Sequence, residues 1–243
     1  GLNTVVSVTR ALTTANASAI ATGPFLGDTG DYANTLYLGF PVSCAQGAAL
    51  TFLEDDCILR EVKAHYPDGY LAQTTLLQAA RASGYNTVIV GKKGPAAIQY
   101  LGALDSKDDN VEGPLGIFID DATNRPENLD GTPTKSTTLH GLLGAEILRA
   151  TGDLAPAFTA MPNLTQQSYL LQATTQVLIP DLKDSGKPFA MLFWSRDPDT
   201  TQHGAIDSEG SLLPGINSTN ARAAIANADN DLKGILDALA QYG

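Results

Sequence analysis

Short apolar bursts alternate along this chain with longer stretches in which apolar residues recur at helical spacing, the pattern of a layered α/β domain. Thr87–Val90 is a β-branched run closed by Gly91, and Gly116–Ile119 is a second that ends at Asp120 and Asp121. Phe189–Trp194 is the strongest and runs into Ser195, Arg196 and Asp197. Runs that are apolar throughout suit strands buried on both sides, so an α/β fold with a mostly parallel sheet and helices on both faces is expected. Val5–Val8 is a further candidate strand. Helices are expected from Thr13 or Thr14 to Thr22, and over Leu71–Ser83, Leu139–Thr151, Thr165–Leu182 and Asn220–Gln241, several of them closed by glycine. Pro180 should bend or end the fourth of these. Asn34–Glu54 and Asp105–Thr138 are rich in Gly, Pro and Asp, lack periodicity and read as long functional loops. No linker, repeat or low-complexity tract divides the 243 residues, so a single domain over 1–243 is expected.

Charge narrows the partners. Fifteen Lys and Arg against 26 Asp and Glu leave a formal net charge of -11, with no basic run longer than Lys92-Lys93. Such a surface has few cations with which to displace the counterions of a nucleic-acid backbone, so no nucleic acid polymer is expected as a partner. No apolar stretch is long enough for a membrane span. Cys44 and Cys57 are the only cysteines. Their spacing fits a disulfide closing a short loop, which would suit an extracytoplasmic protein, and equally two separate thiols.

Candidate chemistry gathers in two segments. Asp199 and His203 follow the strongest strand, where α/β folds place their sites, and a helical turn would put both on one face. A carboxylate oxygen and an imidazole nitrogen suit zinc or a similar divalent ion. The simpler reading has Asp197 and Asp199 capping the turn and His203 on the surface. The second segment is Thr13-Thr14-Ala15-Asn16, ahead of a small-residue helix that stops at Gly23. A threonine there can cap the helix. It can also serve as a nucleophile if a metal lowers its pKa and the helix start receives a phosphate. Asp120 and Asp121 read as turn carboxylates, and His65 and His140 as ordinary surface or partly buried residues. Gly91-Lys92-Lys93-Gly94-Pro95 lacks the spacing of a phosphate-binding loop, and Lys92 is a candidate for fixing a loop near the site.

Taken in order, these segments resemble the alkaline phosphatase superfamily, in particular its type I phosphodiesterase and nucleotide pyrophosphatase branch. A Thr-x-Pro-Asn segment leading through a small-residue helix to Thr-Gly corresponds to Thr13-Thr14-Ala15-Asn16 and Thr22-Gly23. His-Gly followed by Asn corresponds to Thr29-Gly30 and Asn34, and Pro-Asp-x-x-Gly-His to Pro198 through His203. Ala15, Ala17, Thr29 and Gln202 depart from that pattern. The resemblance implies an alkaline phosphatase-like fold and a metal-dependent phosphoester hydrolase. Thr13 would be the nucleophile and a metal contact, with Thr14 the runner-up. Asn34 would steady the phosphoryl oxygens, and Asp199 and His203 would hold one of two divalent ions, zinc by preference. The substrate would be a small phosphoester and the setting periplasmic or secreted. The family's remaining ligands would fall before Gly1 and after Gly243, so the chain is expected to be incomplete and inactive alone. The alternative is a non-catalytic α/β domain that binds a protein or small ligand through its long loops.

Overall fold

A computed structural model describes residues 12–66, 70–100, 116–121, 147, 149–151, 162–205, 207 and 217–242. Its backbone is α/β, with a small parallel sheet, an antiparallel hairpin and several helices. The sheet has the order β4-β3-β5, formed by β3 (Asn86–Gly91), β4 (Gly116–Asp120) and β5 (Phe189–Trp194). These are the three strands expected from the apolar bursts. β3 is buried along its whole length, which suits its central place, whereas β5 is only half-buried and lies at the edge of the order. Val5–Val8 falls outside the described residues, as does most of Leu139–Thr151.

Contacts divide the chain into two compact units. The first comprises Gly1–Ile89, Lys93–Phe118 and Phe189–Met191, and the second Val90–Lys92, Ile119–Pro188 and Leu192–Gly243.

In the first unit, α1 (Thr13–Thr22) buries Ala15, Ala17 and Ala21 and packs on α5 (Pro95–Gln99), whose Ala96 and Ala97 are equally buried. Small side chains on both helices let the backbones approach, and Gln99 Nε2 donates to Ala17 O at 2.8 Å. The helix stops at Gly23, whose φ of +91° is costly for any other residue. A four-residue helix, α2 (Leu26–Thr29), follows. The region expected to be a loop from Asn34 to Glu54 is instead a hairpin of β1 (Thr35–Val42) and β2 (Ala48–Phe52). Leu36, Leu38 and Val42 point inward, while Tyr37, Leu50 and Phe52 stand in solvent, so this is a strand pattern with an apolar outer face. A register shift between Tyr37 and Val42 spans Gly39 and Pro41, the two residues that disguise the alternation.

Helix α3 (Asp56–His65) was also absent from the sequence reading. Asp55 caps it by accepting from Cys57 N at 2.9 Å. Glu61 accepts from the backbone of Ser43 and Cys44 at 2.7 Å each, which ties the hairpin turn to α3. A disulfide joins Cys44 to Cys57 across the same junction, with the Cα atoms 5.9 Å apart. His65 stacks on Phe40 with ring centroids 3.7 Å apart, a packing role. α4 (Leu76–Ala82) starts later than the expected Leu71, because Thr75 and Gln78 form a reciprocal capping box that sets its first turn.

Among its described residues the second unit is mostly helical. α6 (Leu164–Ala173) passes through a π-helical turn, Thr174–Leu178, into α7 (Ile179–Asp184) without interruption. Pro180 neither ends the helix nor lies mid-turn: it sits at the opening of α7, where the wider turn before it accommodates a missing N–H. After β5 come α8 (Asp199–Gly204) and the long α9 (Thr219–Tyr242), capped by Ser218, which accepts from Ala221 N at 3.0 Å. Gly234 of α9 faces Leu171 so closely that an added Cβ would lie 3.2 Å from Leu171 Cδ1. Among the described residues no helix is long and apolar enough to cross a membrane.

Two stability outcomes follow. Replacing both Cys44 and Cys57 with serine frees a 13-residue separation and should cost about 3 kcal/mol in chemical denaturation, while a reductant should leave the double variant unaffected. Asp231, on the inner face of α9, is pushed up to about 6 by burial from its ordinary 3.8. The folded chain then holds this proton more tightly than the unfolded chain. Stability contributed by the site is full below about pH 4 and lost as the pH rises through about 6. Asp231→Asn should remove that slope and raise stability at pH 7 by roughly 1–2 kcal/mol, after allowance for solvent screening.

Candidate functional site

The candidate residues fall into two sets, one in each unit. In the first, Leu12 is the extended residue ahead of α1, and its side chain makes no cap. Thr13 is therefore the first helical residue, not the cap, and is half-buried. Thr14 is wholly buried. Its hydroxyl donates to Ala33 O at 3.0 Å, with Asp31 Oδ1 and Asn34 Oδ1 each at 3.3 Å. The helix start is capped from a distant segment: Asn34 Oδ1 accepts from Thr14 N at 2.9 Å, and Asn34 Nδ2 donates to Glu54 Oε1 at 3.3 Å. An amide nitrogen carries two hydrogens, so this arrangement fixes the Asn34 side chain and leaves its nitrogen capacity for a second acceptor.

Asp31, which the sequence reading passed over, lies at the centre of this set. It is wholly buried, and Ser18 Oγ donates to its Oδ2 at 2.7 Å. Burial pushes its pKa up, against the opposing pull of Tyr70, Ser18, the Ala33 backbone and Thr14. Tyr70 is raised well above its ordinary value by burial and by the Asp31 charge. The Tyr70 hydroxyl faces that carboxylate without the alignment of a full hydrogen bond.

The second set lies beyond the carboxyl ends of the strands. Gly91 ends β3 at a φ of +149°, and a Cβ there would lie 2.0 Å from Trp194 O. Only glycine fits, and Lys92 N donates to Trp194 O at 3.0 Å next to this contact. Lys92 Nζ then reaches Asp199 Oδ2 at 2.8 Å. His203 Nε2 is 3.6 Å from the other oxygen, Oδ1, one turn along α8. The lysine is nearly buried, whereas the Asp199 side chain is 36% exposed and that of His203 72% exposed. Asp121 at the end of β4 pairs with Arg196 after β5, and Asp120 beside it is wholly buried. Burial, aided by the Asp120 charge, pushes Tyr169 up to about 12.

Asp197 organises this end of the unit. Its Oδ1 accepts from both N and Oγ1 of Thr201 at 3.0 Å, and its Oδ2 accepts from Asn163 N at 2.6 Å. It is thus a cap for α8 reached from a buried loop, as the simpler sequence reading proposed for it. Gln167 of α6, with its amide oxygen turned to the loop, accepts from Ser195 Oγ and from Arg196 N and Asp197 N at 3.1 and 2.9 Å. Gln166 Nε2 donates to Asp121 O at 3.2 Å. No sequence signal marked this glutamine pair, because two adjacent amides on a helix do not differ from a solvated face until the loop they hold is known. His140 lies outside the described residues.

A zinc centre draws three or four donors from the protein. Asp199 and His203 have the right chemistry for two of them and lie together on one face. Among the described residues the one cluster of three His, Cys, Asp or Glu donors is Cys44, Cys57 and Glu61, whose sulfurs are joined to each other. The described residues thus fit two donor positions of one ion and do not complete a centre.

Removing the Asp197 carboxylate strands three buried donors. Asp197→Ala should cost roughly 2–4 kcal/mol in chemical denaturation, and the His203 ring resonances should shift in NMR spectra as α8 loses its cap. An unchanged midpoint would show that the cap is dispensable.

No family model matches the chain, and neither a curated protein nor a solved structure matches it.

Proposed function

We propose that this chain supplies the nucleophile and one pair of metal donors of a phosphoester hydrolase, of the phosphodiesterase and nucleotide pyrophosphatase kind within the alkaline phosphatase superfamily. The observation that carries the reading is the contrast between the two threonines. Thr14 is wholly buried with its hydroxyl spent on Ala33 O, whereas Thr13 is half-buried at the first position of a ten-residue helix. A nucleophile must present its oxygen, which favours Thr13. The Thr14 N–H is taken by Asn34 Oδ1, but the positive end of the helix that it shares with its first-turn neighbours suits phosphoryl oxygens.

In this reading Thr13 Oγ1 attacks phosphorus in line as the bond to the ester oxygen breaks, the hydroxyl proton passing by way of solvent to the departing alcohol. Water then attacks the phosphothreonine, its P–O bond to Thr13 breaks, phosphate or a phosphomonoester leaves, and a proton from that water restores the Thr13 hydroxyl. The second hydrogen of Asn34 Nδ2 steadies an equatorial oxygen, and the Thr14 N–H bond to Oδ1 keeps that amide from turning away. Two divalent ions, zinc by preference, would lower the hydroxyl pKa and offset phosphoryl charge when bound. Asp199 and His203 would contribute donors to one of them. The small parallel sheet, with Asp199 and His203 beyond the end of β5, supports the α/β part of this reading. The disulfide supports an extracytoplasmic setting, periplasmic or secreted. The acidic surface supports a small phosphoester over a nucleic acid polymer.

One observation favours a second reading. Lys92 already neutralises Asp199 and Arg196 already pairs with Asp121, as in a non-catalytic α/β domain that binds a partner through its loops.

A single assay separates the two. Full-length protein with added zinc should hydrolyse a chromogenic phosphodiester or monoester, and a chelator should abolish turnover. Thr13→Ala should lower kcat by about a thousandfold or more, and Thr14→Ala by no more than about tenfold. Turnover that survives in Thr13→Ala removes the proposed nucleophile, and absence of any turnover leaves the binding domain.

A further inference from the structure

Burying a carboxylate costs far more than burying an alkyl group of the same size, so a buried aspartate needs a reason. Asp31 is wholly buried, and it reaches two hydroxyls on the inner face of α1. Ser18 Oγ donates to Oδ2 at 2.7 Å, and Thr14 Oγ1 lies 3.3 Å from Oδ1. These residues are four apart, one helical turn, so the carboxylate bridges successive turns on a single face. Three residues further on, Asn34 takes the Thr14 N–H. Thr29 Oγ1 in turn anchors Asp31 itself through its backbone N at 3.2 Å. Apolar packing of Ala15, Ala17 and Ala21 holds α1 in place, and the Gln99 bond to Ala17 O and the Asn34 bond from Thr14 N give it direction. The Ser18 bond to Asp31 adds a directional contact on the inner face, one turn from Thr14, whose own hydroxyl hydrogen goes to Ala33 O. Thr13 lies about 100° around the helix from Thr14, so the angle that Asp31 sets is also the direction in which Thr13 Oγ1 points.

We infer that Asp31 is a positioning residue for Thr13, fixing the rotation of α1 through its bond from Ser18 so that the Thr13 hydroxyl is aimed at the phosphoryl group. The inference rests on the phosphoester reading of Thr13. Asp31 touches neither substrate nor ion; it acts through the helix. An attack geometry lost by an ångström costs rate and leaves substrate affinity largely in place, and that split is what distinguishes positioning from simple stability.

The test uses full-length protein, zinc and a chromogenic phosphoester, with kcat and KM measured well below each variant's melting temperature. Asp31→Asn keeps the shape of the side chain, and Ser18→Ala removes one hydroxyl from a site that tolerates a methyl. Each should lower kcat by roughly ten- to a hundredfold with KM within about twofold. The double variant should be little worse than either single one, because both break the same bond. Ser18→Thr, which keeps the hydroxyl, should recover most of the rate. Variants that melt earlier yet keep wild-type kcat would overturn the inference and leave the phosphoester reading intact. Wild-type turnover unaffected by Thr13→Ala, or no turnover in the wild type, would remove that reading and this inference with it.

Discussion

A carboxylate withdrawn from water must be met by hydrogen-bond donors, and two aspartates obey that constraint where the candidate chemistry lies. Asp31 is met by Ser18, with Thr14 and Tyr70 beside it. Asp197 is met by Thr201 and the backbone of Asn163. Each lies outside the helix it serves: Asp31 grips α1 at Ser18, in its second turn, and Asp197 grips α8 at Thr201. The cost of desolvating each charge is offset only if the donors stay in place, which makes both helices well defined. Thr13 sits at the start of one, and Asp199 and His203 on the other. The site residues are thus held by neighbours that are not themselves candidates for chemistry.

Close backbone approach does similar work at the strand ends. Gly91 is the one residue there that can let Trp194 O come so near, and this contact delivers Lys92 to Asp199. The lysine keeps the carboxylate oriented, with one oxygen toward the ammonium and the other toward His203. Gln166 and Gln167 support the same edge from α6 through the backbone of Asp121 and the Ser195–Asp197 loop. Polar side chains buried under a loop are costly unless each finds a partner, and here a single helix turn supplies them to two strands at once.

The three sheet strands were legible because continuous β-branched and aromatic runs bounded by glycine have few other uses, and α1 and α9 because their spacing and end signals agreed. The hairpin was not. Gly39 and Pro41 read as loop residues although they lie on the exposed side of an unbroken alternation, and Tyr37, Leu50 and Phe52 put apolar residues on that same outer face, so Asn34–Glu54 lacks a clean polar side. α3 does carry a helix signal, an Asp55 cap followed by Ile58, Leu59 and Val62 on one buried face, but it is short and adjoins the stretch without a readable period. The spacing of Asp199 and His203 did foretell a shared helical face. Asp31 stayed hidden because a buried aspartate and a turn aspartate look alike between Gly30 and Tyr32, and only the fold brings Ser18 and Tyr70 to it.

The central claim is that Thr13 is the atom-bearing nucleophile, and a covalent ester on it is the most direct evidence available. Full-length protein mixed with zinc and a phosphoester, quenched in acid during turnover and digested, should yield by mass spectrometry a peptide containing Thr13 that carries the phosphoryl or nucleotidyl mass, with fragmentation placing it on Thr13. Turnover without such an adduct, or with the mass on another residue, would contradict the account.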